Sequence, residues 1–391
     1  MTLSEATTQV LQSPKREQQG LKTAIIHDWL NQRGGAELVL DVLHQMFPQA
    51  PIFTSMYAPR VMPREYRQWD IRTSFMQRLP LAKKHHQPFL PFYPYAFETF
   101  DLSEYDLVLS NSSGFCHGVL TPPTACHVNY CLTPPRFIWA LPQYLRRERV
   151  GGLSKRILPF VVSYLRNWDS TAADRVDYFV GISKAVVARI RKYYRRDAAL
   201  IYPPVDTSRF SVAPLQEVGD YFLVVSRLVP YKRVDLAVEA FNRLGLPLVV
   251  VGDGRDLAAL KSAAKANVTF TGRVSGEEVQ RLFSRCRAFI FPGEEDFGIA
   301  PLEAQASGRP VIAYAAGGAL ETVVDGVTGL FFREQSPESL AEAVLRYRNK
   351  DFDPGAIRKN AERFDTEVFT SQLRRFLAAK LVEHRQLVGL D

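Results

Sequence analysis

Short apolar runs of strand length alternate with amphipathic stretches through most of the chain. Residues 22–27, 105–110, 127–131 and 176–180 are such runs, and residues 36–46 place apolar side chains at helical spacing. Residues 141–170 read as helical, basic and aromatic, and a further helix runs out at residues 190–196. Residues 201–206, Ile-Tyr-Pro-Pro-Val-Asp, are short, apolar and stiffened by proline, which suits a linker. The rhythm then restarts. Strands are predicted at 221–226, 247–251, 268–271, 288–291 and 311–314, with helices at 234–244, 257–266, 276–286 and 301–307. A last helix over 367–385 lies beyond this alternation. Strand following helix following strand predicts an α/β protein built on parallel sheets.

A chain of 391 residues exceeds one ordinary core. It divides as a disordered tail over 1–20, a first domain over 21–203, a second over 204–366 and a terminal helical segment over 367–391. The tail is polar and has no apolar stretch of the kind a signal peptide needs. No apolar run approaches the roughly 20 residues of a membrane helix. Cys116, Cys126, Cys131 and Cys286 are too few for a disulfide framework. Cys116, His117, Cys126, His127 and Cys131 lack the paired spacing of structural zinc, so no metal is expected.

Charge changes the picture. Residues 1–205 hold 25 Lys and Arg against 16 Asp and Glu, a balance of +9, whereas the remainder stands at −1. A basic first half points to an anionic partner such as phosphate or an anionic bilayer. Nucleic acid is not expected, because no recognition motif accompanies the charge. Residues 51–100 add Lys83, Lys84, His85 and His86 beside Phe89, Phe92, Tyr93 and Tyr95. Such a segment suits either a basic, aromatic surface loop or irregular core-packed structure.

The chemistry concentrates in residues 288–322. Pro292 and Gly293 stop a strand, Glu294, Glu295 and Asp296 follow, and Phe297–Gly298 opens a helix that contains Glu303. Ligands of parallel sheets sit beyond the carboxyl ends of the strands, and a helix N-terminus favours an anion. Arg227 and Lys232 occupy the loop after the 221–226 strand, where two cations can bracket a diphosphate. Gly34 and Gly35 form a strand–loop–helix turn suited to phosphate approach. Gly252-Asp253-Gly254 lacks the third glycine of a dinucleotide fingerprint.

Glu295-x7-Glu303 resembles the paired-glutamate signature of the retaining family 4 glycosyltransferases. Arg227 and Lys232 match that family's donor-phosphate pair in spacing. The 27–30 stretch HDWL, the segment YCxTPxRxxW, the linker IYPPVD and the motif SRLVxYKRxD resemble its mannosyltransferase-like branch in bacterial surface-polysaccharide synthesis. The resemblance runs from Lys22 to about Phe376. It implies a GT-B fold: two Rossmann-like parallel-sheet domains facing across a cleft, with the C-terminal helix crossing back to the first.

The resemblance also implies roles. Arg227, Lys232 and Glu295 would be catalytic, the cations stabilising the leaving diphosphate and Glu295 binding sugar hydroxyls. Gly34, Gly35, Arg273, Val274, Phe297, Gly298, Ile299 and Glu303 would bind the donor, with Glu303 on the nucleotide ribose. The implied substrates are a nucleoside-diphosphate sugar, GDP-mannose-like or other, and a glycan or lipid-linked acceptor. No cofactor or metal is implied. The expected location is cytoplasmic, at the inner face of the membrane. One position departs: after the YC strand the family usually has histidine, and this chain has Leu132. Leucine neither donates a hydrogen bond nor titrates. If the family histidine mainly holds the 6-hydroxyl, Leu132 suits a sugar without one, such as a deoxyhexose or a pentose; a hexose held there by water or another residue, and a weakened enzyme, are the other readings. A nucleotide-sugar epimerase of similar build and a catalytically silent nucleotide- or glycan-binding protein remain the alternatives.

Overall fold

The computed structural model describes residues 20–80, 87–141, 152–347 and 350–389, apart from the side chains of residues 87 and 152–157. All of the expected tail but Gly20 lies outside these residues, as do Lys83, Lys84, His85, His86, Arg146, Arg147 and Arg149 and the side chains of Lys155 and Arg156. The chain gathers into two compact units, one up to Tyr202 together with the segment from Phe369, the other Pro203–Val368.

The first unit holds a seven-stranded sheet. Its strands are β1 (Thr23–His27), β2 (Ile52–Thr54), β3 (Ile71–Thr73), β4 (Leu107–Ser112), β5 (Cys126–Cys131), β6 (Tyr178–Gly181) and β7 (Ala198–Leu200). They lie in the order β3-β2-β1-β4-β5-β6-β7, and every pairing is parallel. Strands β1 and β4 are buried throughout, as both faces of a helix-covered parallel sheet require. Ile26, Val108, Tyr93, Phe97 and Phe115 build the core on one face. Asp28, buried just past β1, accepts the amides of Ser113, Phe115 and Cys116 at 2.6, 2.7 and 2.9 Å and so fixes the turn after β4.

Three of these strands, β2, β3 and β7, are too short to show a period and are absent from the sequence reading. Among the described residues of the 51–100 segment, the aromatic stretch is partly core-packed: Tyr93–Glu98 is a helix with Pro94 in its first turn and with Tyr93, Ala96 and Phe97 buried. Phe92 and Tyr95 are nonetheless exposed. The basic stretch after residue 141 has a described helix at Gly152–Asp174, which continues past the predicted end.

The second unit holds six parallel strands: β8 (Phe222–Val225), β9 (Leu248–Val251), β10 (Val268–Gly272), β11 (Phe289–Phe291), β12 (Val311–Tyr314) and β13 (Gly329–Phe332). Their order is β10-β9-β8-β11-β12-β13. Helix α1 (Val234–Leu244) begins after the β8 loop and α2 (Gly276–Arg285) after the β10 loop. Helix α3 (Ile299–Ala306) follows the β11 loop. Phe222, Val224, Phe241, Ile290, Ile312 and Leu340 share one buried core. The last helix, Thr366–Leu387, starts in the second unit, and from Phe369 onward it belongs to the first. The Phe369 ring meets Tyr130 edge-on at 5.5 Å.

Candidate active site

Strand order in the second unit reverses between β8 and β11. From β8 the chain moves to β9 on one side; from β11 it moves to β12 on the other. At such a switch point the two loops leaving the carboxyl ends diverge and open a crevice. Arg227 and Lys232 leave β8, and Glu295 leaves β11, so all three candidate catalytic residues border that crevice.

Pro230–Lys232 is a single 3-10 turn, closed by Arg233 in the left-handed region at φ 53°. The turn lies directly on Gly293, where a Cβ would stand 2.9 Å from the Lys232 carbonyl oxygen. This contact brings the Lys232 ammonium against Glu295 Oε1 in an ion pair whose side chains are 17% and 19% exposed. Arg227 Nη2 donates to the Tyr231 hydroxyl at 2.9 Å. Lys232 Nζ also stands 5.4 Å from the centre of the Tyr231 ring, within cation–π range. Tyr231, which carries no role in the sequence reading, therefore touches both cations. Its place between them in the motif was the available signal.

A second set of contacts shapes the loop before α3. Gly318 donates its amide to the Glu295 carbonyl at 2.9 Å. A Cβ on Gly318 would fall 2.2 Å from both Cα and O of Phe297, so the Gly317–Gly318 turn rests on the backbone of residues 295–297. Gly298 caps α3 at φ 91°, and a Cβ there would meet Phe291 Cζ at 2.8 Å. Only glycine satisfies both the dihedral and the approach. Phe297 is buried, with its ring 5.7 Å from that of Phe364. Phe297, Gly298 and Ile299 thus lead into a helix start whose first amides lie outside the helical ladder.

Glu303 sits one turn into α3 and keeps part of its surface accessible. Its carboxyl is nevertheless deep among protein atoms, and lost hydration pushes its pKa up to about 7, with the Arg209 guanidinium pulling the other way. Arg209, in the 3-10 turn Thr207–Arg209, is a residue that sequence reasoning missed; nothing in its local pattern links it to Glu303.

Arg273 and Val274 follow β10, two strands from β8 and so roughly 10 Å along the sheet edge. The Arg273 side chain is exposed, with Nε 4.0 Å from Asp253 Oδ2. Gly252 and Gly254 have a packing reason: added Cβ atoms would strike the carbonyl oxygens of Ser226 and Leu228 at 1.9 and 2.2 Å. This turn braces the Arg227 loop from behind.

In the first unit, Gly34 is extended, and its amide donates to Glu37 Oε2 at 2.6 Å. Glu37 is buried and also contacts His27 Nε2 at 3.4 Å. Gly35 is the first residue of the helix Gly35–Met46. Leu132 stands just past β5, buried, with its amide on the Ser112 carbonyl at 2.7 Å.

Comparison with known proteins decides what this arrangement belongs to. Residues 207–364 match the family model for glycosyl transferases group 1. The likeness to this glycosyltransferase family thus lies in the second unit. The O-antigen chain mannosyltransferase C of Escherichia coli is 32% identical over 165 residues, covering 40% of this chain and 44% of that protein. A GDP-mannose-dependent alpha-(1-6)-phosphatidylinositol monomannoside mannosyltransferase of Mycobacterium tuberculosis is 34% identical over 218 residues, 48% of this chain and 56% of its own length. The chain thus spans about half the length of the curated relatives it matches. Among solved structures, Anabaena HepE in complex with UDP superposes with a TM-score of 0.68 at 18% identity, covering 92% of this chain and 100% of that chain. The sucrose-phosphate synthase of Thermosynechococcus elongatus gives 0.67 at 18%, covering 94% and 100%. The two parallel-sheet units of this chain have the GT-B fold.

Proposed function

We propose that this glycosyltransferase retains configuration while moving a sugar from a nucleoside-diphosphate sugar to a glycan or lipid-linked acceptor in bacterial polysaccharide synthesis. The observation that carries the proposal is the convergence of Arg227, Lys232 and Glu295 on the β8/β11 switch point. A diphosphate accepted there meets two cations from one loop and the start of α3. As the bond from the anomeric carbon to the phosphate oxygen breaks, negative charge grows on the diphosphate. Arg227 and Lys232 stabilise that charge. The acceptor oxygen forms its bond on the same face of the sugar, and its proton passes to the departing phosphate oxygen.

Glu295 takes a sugar hydroxyl once Lys232 turns toward phosphate. Glu303 takes the ribose, and the backbone at Arg273 and Val274 takes the base. Phe297, Gly298 and Ile299 offer amides to sugar or phosphate; Gly34 and Gly35 are assigned to the donor phosphates on the family resemblance. The mannosyltransferase relatives favour a GDP-mannose-like donor. A thermal-shift screen of nucleoside diphosphates and their sugars tests the donor site, because a ligand specific to the folded state raises apparent stability. The reading predicts a rise with a nucleoside diphosphate; the absence of any rise across the common bases contradicts it.

No helix among the described residues is long and apolar enough to cross a membrane. The exposed aromatics Phe92, Tyr95, Phe160 and Tyr164, set in the basic half of the chain, support peripheral contact with an anionic bilayer at the cytoplasmic face. Sedimentation with anionic vesicles, reversed by salt, is the expected result. Vesicle binding that is absent at low salt sinks this part of the reading.

A further inference from the structure

We propose that Cys126, Asp177 and His384 hold a zinc ion that pins the last helix to the sheet of the first unit. Cys126 opens β5, Asp177 immediately precedes β6, and His384 lies near the end of the helix Thr366–Leu387. One potential ligand atom from each lies within 4.8 Å of the other two, and among the described residues this is the one such cluster. The site is built from three separate elements of one unit, and both Cys126 and His384 are buried.

The imidazole gives the independent sign of a missing ligand. His384 is 6% exposed, yet its Nε2 has no hydrogen-bond partner, and its Nδ1 stands 3.9 Å from Asp177 Oδ2, beyond hydrogen-bond reach. Buried polar nitrogens are ordinarily satisfied. A cavity of about 230 Å³ lined by Pro122, Ala125, Arg175, Asp177 and His384 adjoins the cluster. It has room for an ion and for a water as fourth ligand. With metal–ligand bonds of about 2.0–2.3 Å, tetrahedral coordination needs ligand atoms roughly 3.3–3.8 Å apart. Ligand atoms at the 4.8 Å limit therefore close by roughly 1.0–1.5 Å on binding.

Charge balance fits a divalent ion. Lys380 is paired to Glu383 at 2.6 Å and Arg175 to Glu98 at 2.9 Å, so the neighbouring cations are already compensated. A zinc ion against one thiolate and one carboxylate then leaves the site neutral. The buried Cys126 thiol has to shed its proton to ligate the ion. Binding transfers that thiol proton to solvent as the zinc–sulfur bond forms. Thiolate, imidazole and carboxylate together suit zinc better than magnesium or calcium, which prefer all-oxygen sets. Asp177 Oδ2 also accepts the His127 amide at 2.7 Å, an outer contact that orients the carboxylate.

Cobalt(II) is the probe, added to the full chain after removal of metal with a chelator. The proposal predicts one tightly held equivalent, a tetrahedral visible spectrum and a thiolate-to-cobalt charge-transfer band in the near ultraviolet. Cys126→Ser loses the charge-transfer band, and His384→Gln and Asp177→Asn each lower cobalt affinity by more than ~10-fold, the lower end of losses from outer-shell changes. Zinc raises the unfolding temperature of the wild type and not of His384→Gln. A chelated wild type that retains no cobalt overturns the proposal. So does a charge-transfer band that persists unchanged in Cys126→Ser, or, should that variant not fold, affinity that is unchanged in His384→Gln.

Discussion

Lys232 and Glu295 are ion-paired across the point where the strand order of the second unit reverses. In the proposed reaction, phosphate competes for the ammonium and a sugar hydroxyl for the carboxylate. The pair is partly covered, so its strength lies above that of a fully exposed bridge. A double-mutant cycle with Lys232→Met and Glu295→Gln in urea unfolding of the ligand-free protein is expected to give a coupling of about 1 kcal/mol. Additive losses show that the pair contributes nothing before donor arrives.

Gly318→Ala puts a methyl group into the Phe297 backbone. Gly318 has an ordinary helical φ of −64°, so the effect is steric alone. The loop before α3 must move, at about 1–3 kcal/mol, the scale of overpacking. The expected outcome is a lower unfolding temperature together with loss of the nucleoside-diphosphate thermal shift. A variant with both unchanged shows that this turn does not set the loop.

With Glu303 on the ribose as proposed, donor binding is expected to depend on pH. Its folded pKa of about 7 lies above the ordinary carboxyl value of 4.5, so folding favours its protonated form. That contribution is complete below about pH 4.5 and lost as pH rises through about 7. Glu303→Gln mimics the protonated form and is expected to be more stable than wild type at pH 8, by on the order of 1–3 kcal/mol, and equal to it near pH 4.5. Nucleotide affinity runs the opposite way, since a ribose hydroxyl donates best to the carboxylate. Calorimetric titration should show wild-type affinity rising through pH 7 and that of Glu303→Gln flat. A wild-type affinity independent of pH between 6 and 8 removes the ribose role.

Tyr231→Phe deletes the hydroxyl that receives Arg227 while keeping the ring beside Lys232. Turnover is expected to fall about 3- to 10-fold, in line with one hydrogen bond of roughly 1 kcal/mol, with little change in KM. Tyr231→Leu, which removes the ring as well, falls further. Equal turnover in the two variants denies the ring any part in placing Lys232.

Much of the second unit was legible because its strands are continuous apolar runs ended by glycine or proline. Phe289–Phe291 stops at Pro292, and Val311–Tyr314 leads into the Gly317–Gly318 turn. What the sequence could not show is which loop touches which. The Lys232–Glu295 pair exists because β8 and β11 are neighbours although β9 and β10 intervene in the chain, and no local period records that. Gly318 and Gly254 read as turn residues; their real constraint is another segment's backbone at van der Waals distance. Strands β2, β3 and β7 hold three residues each, too few for alternation to register. Arg209 belongs to a short turn with no motif, and only tertiary structure sets it beside Glu303.

In the proposed reaction, the Arg227 and Lys232 loop stabilises a departing nucleoside diphosphate. Acceptor-dependent release of nucleoside diphosphate, from whichever nucleotide sugar the wild type consumes, tests it most directly in Arg227→Ala and Lys232→Ala. Each variant is expected to fold, to keep its unfolding transition, and to turn over roughly 10²–10³-fold more slowly, the scale for losing one preorganised charge-stabilising donor. Near-wild-type release in either variant would contradict the account.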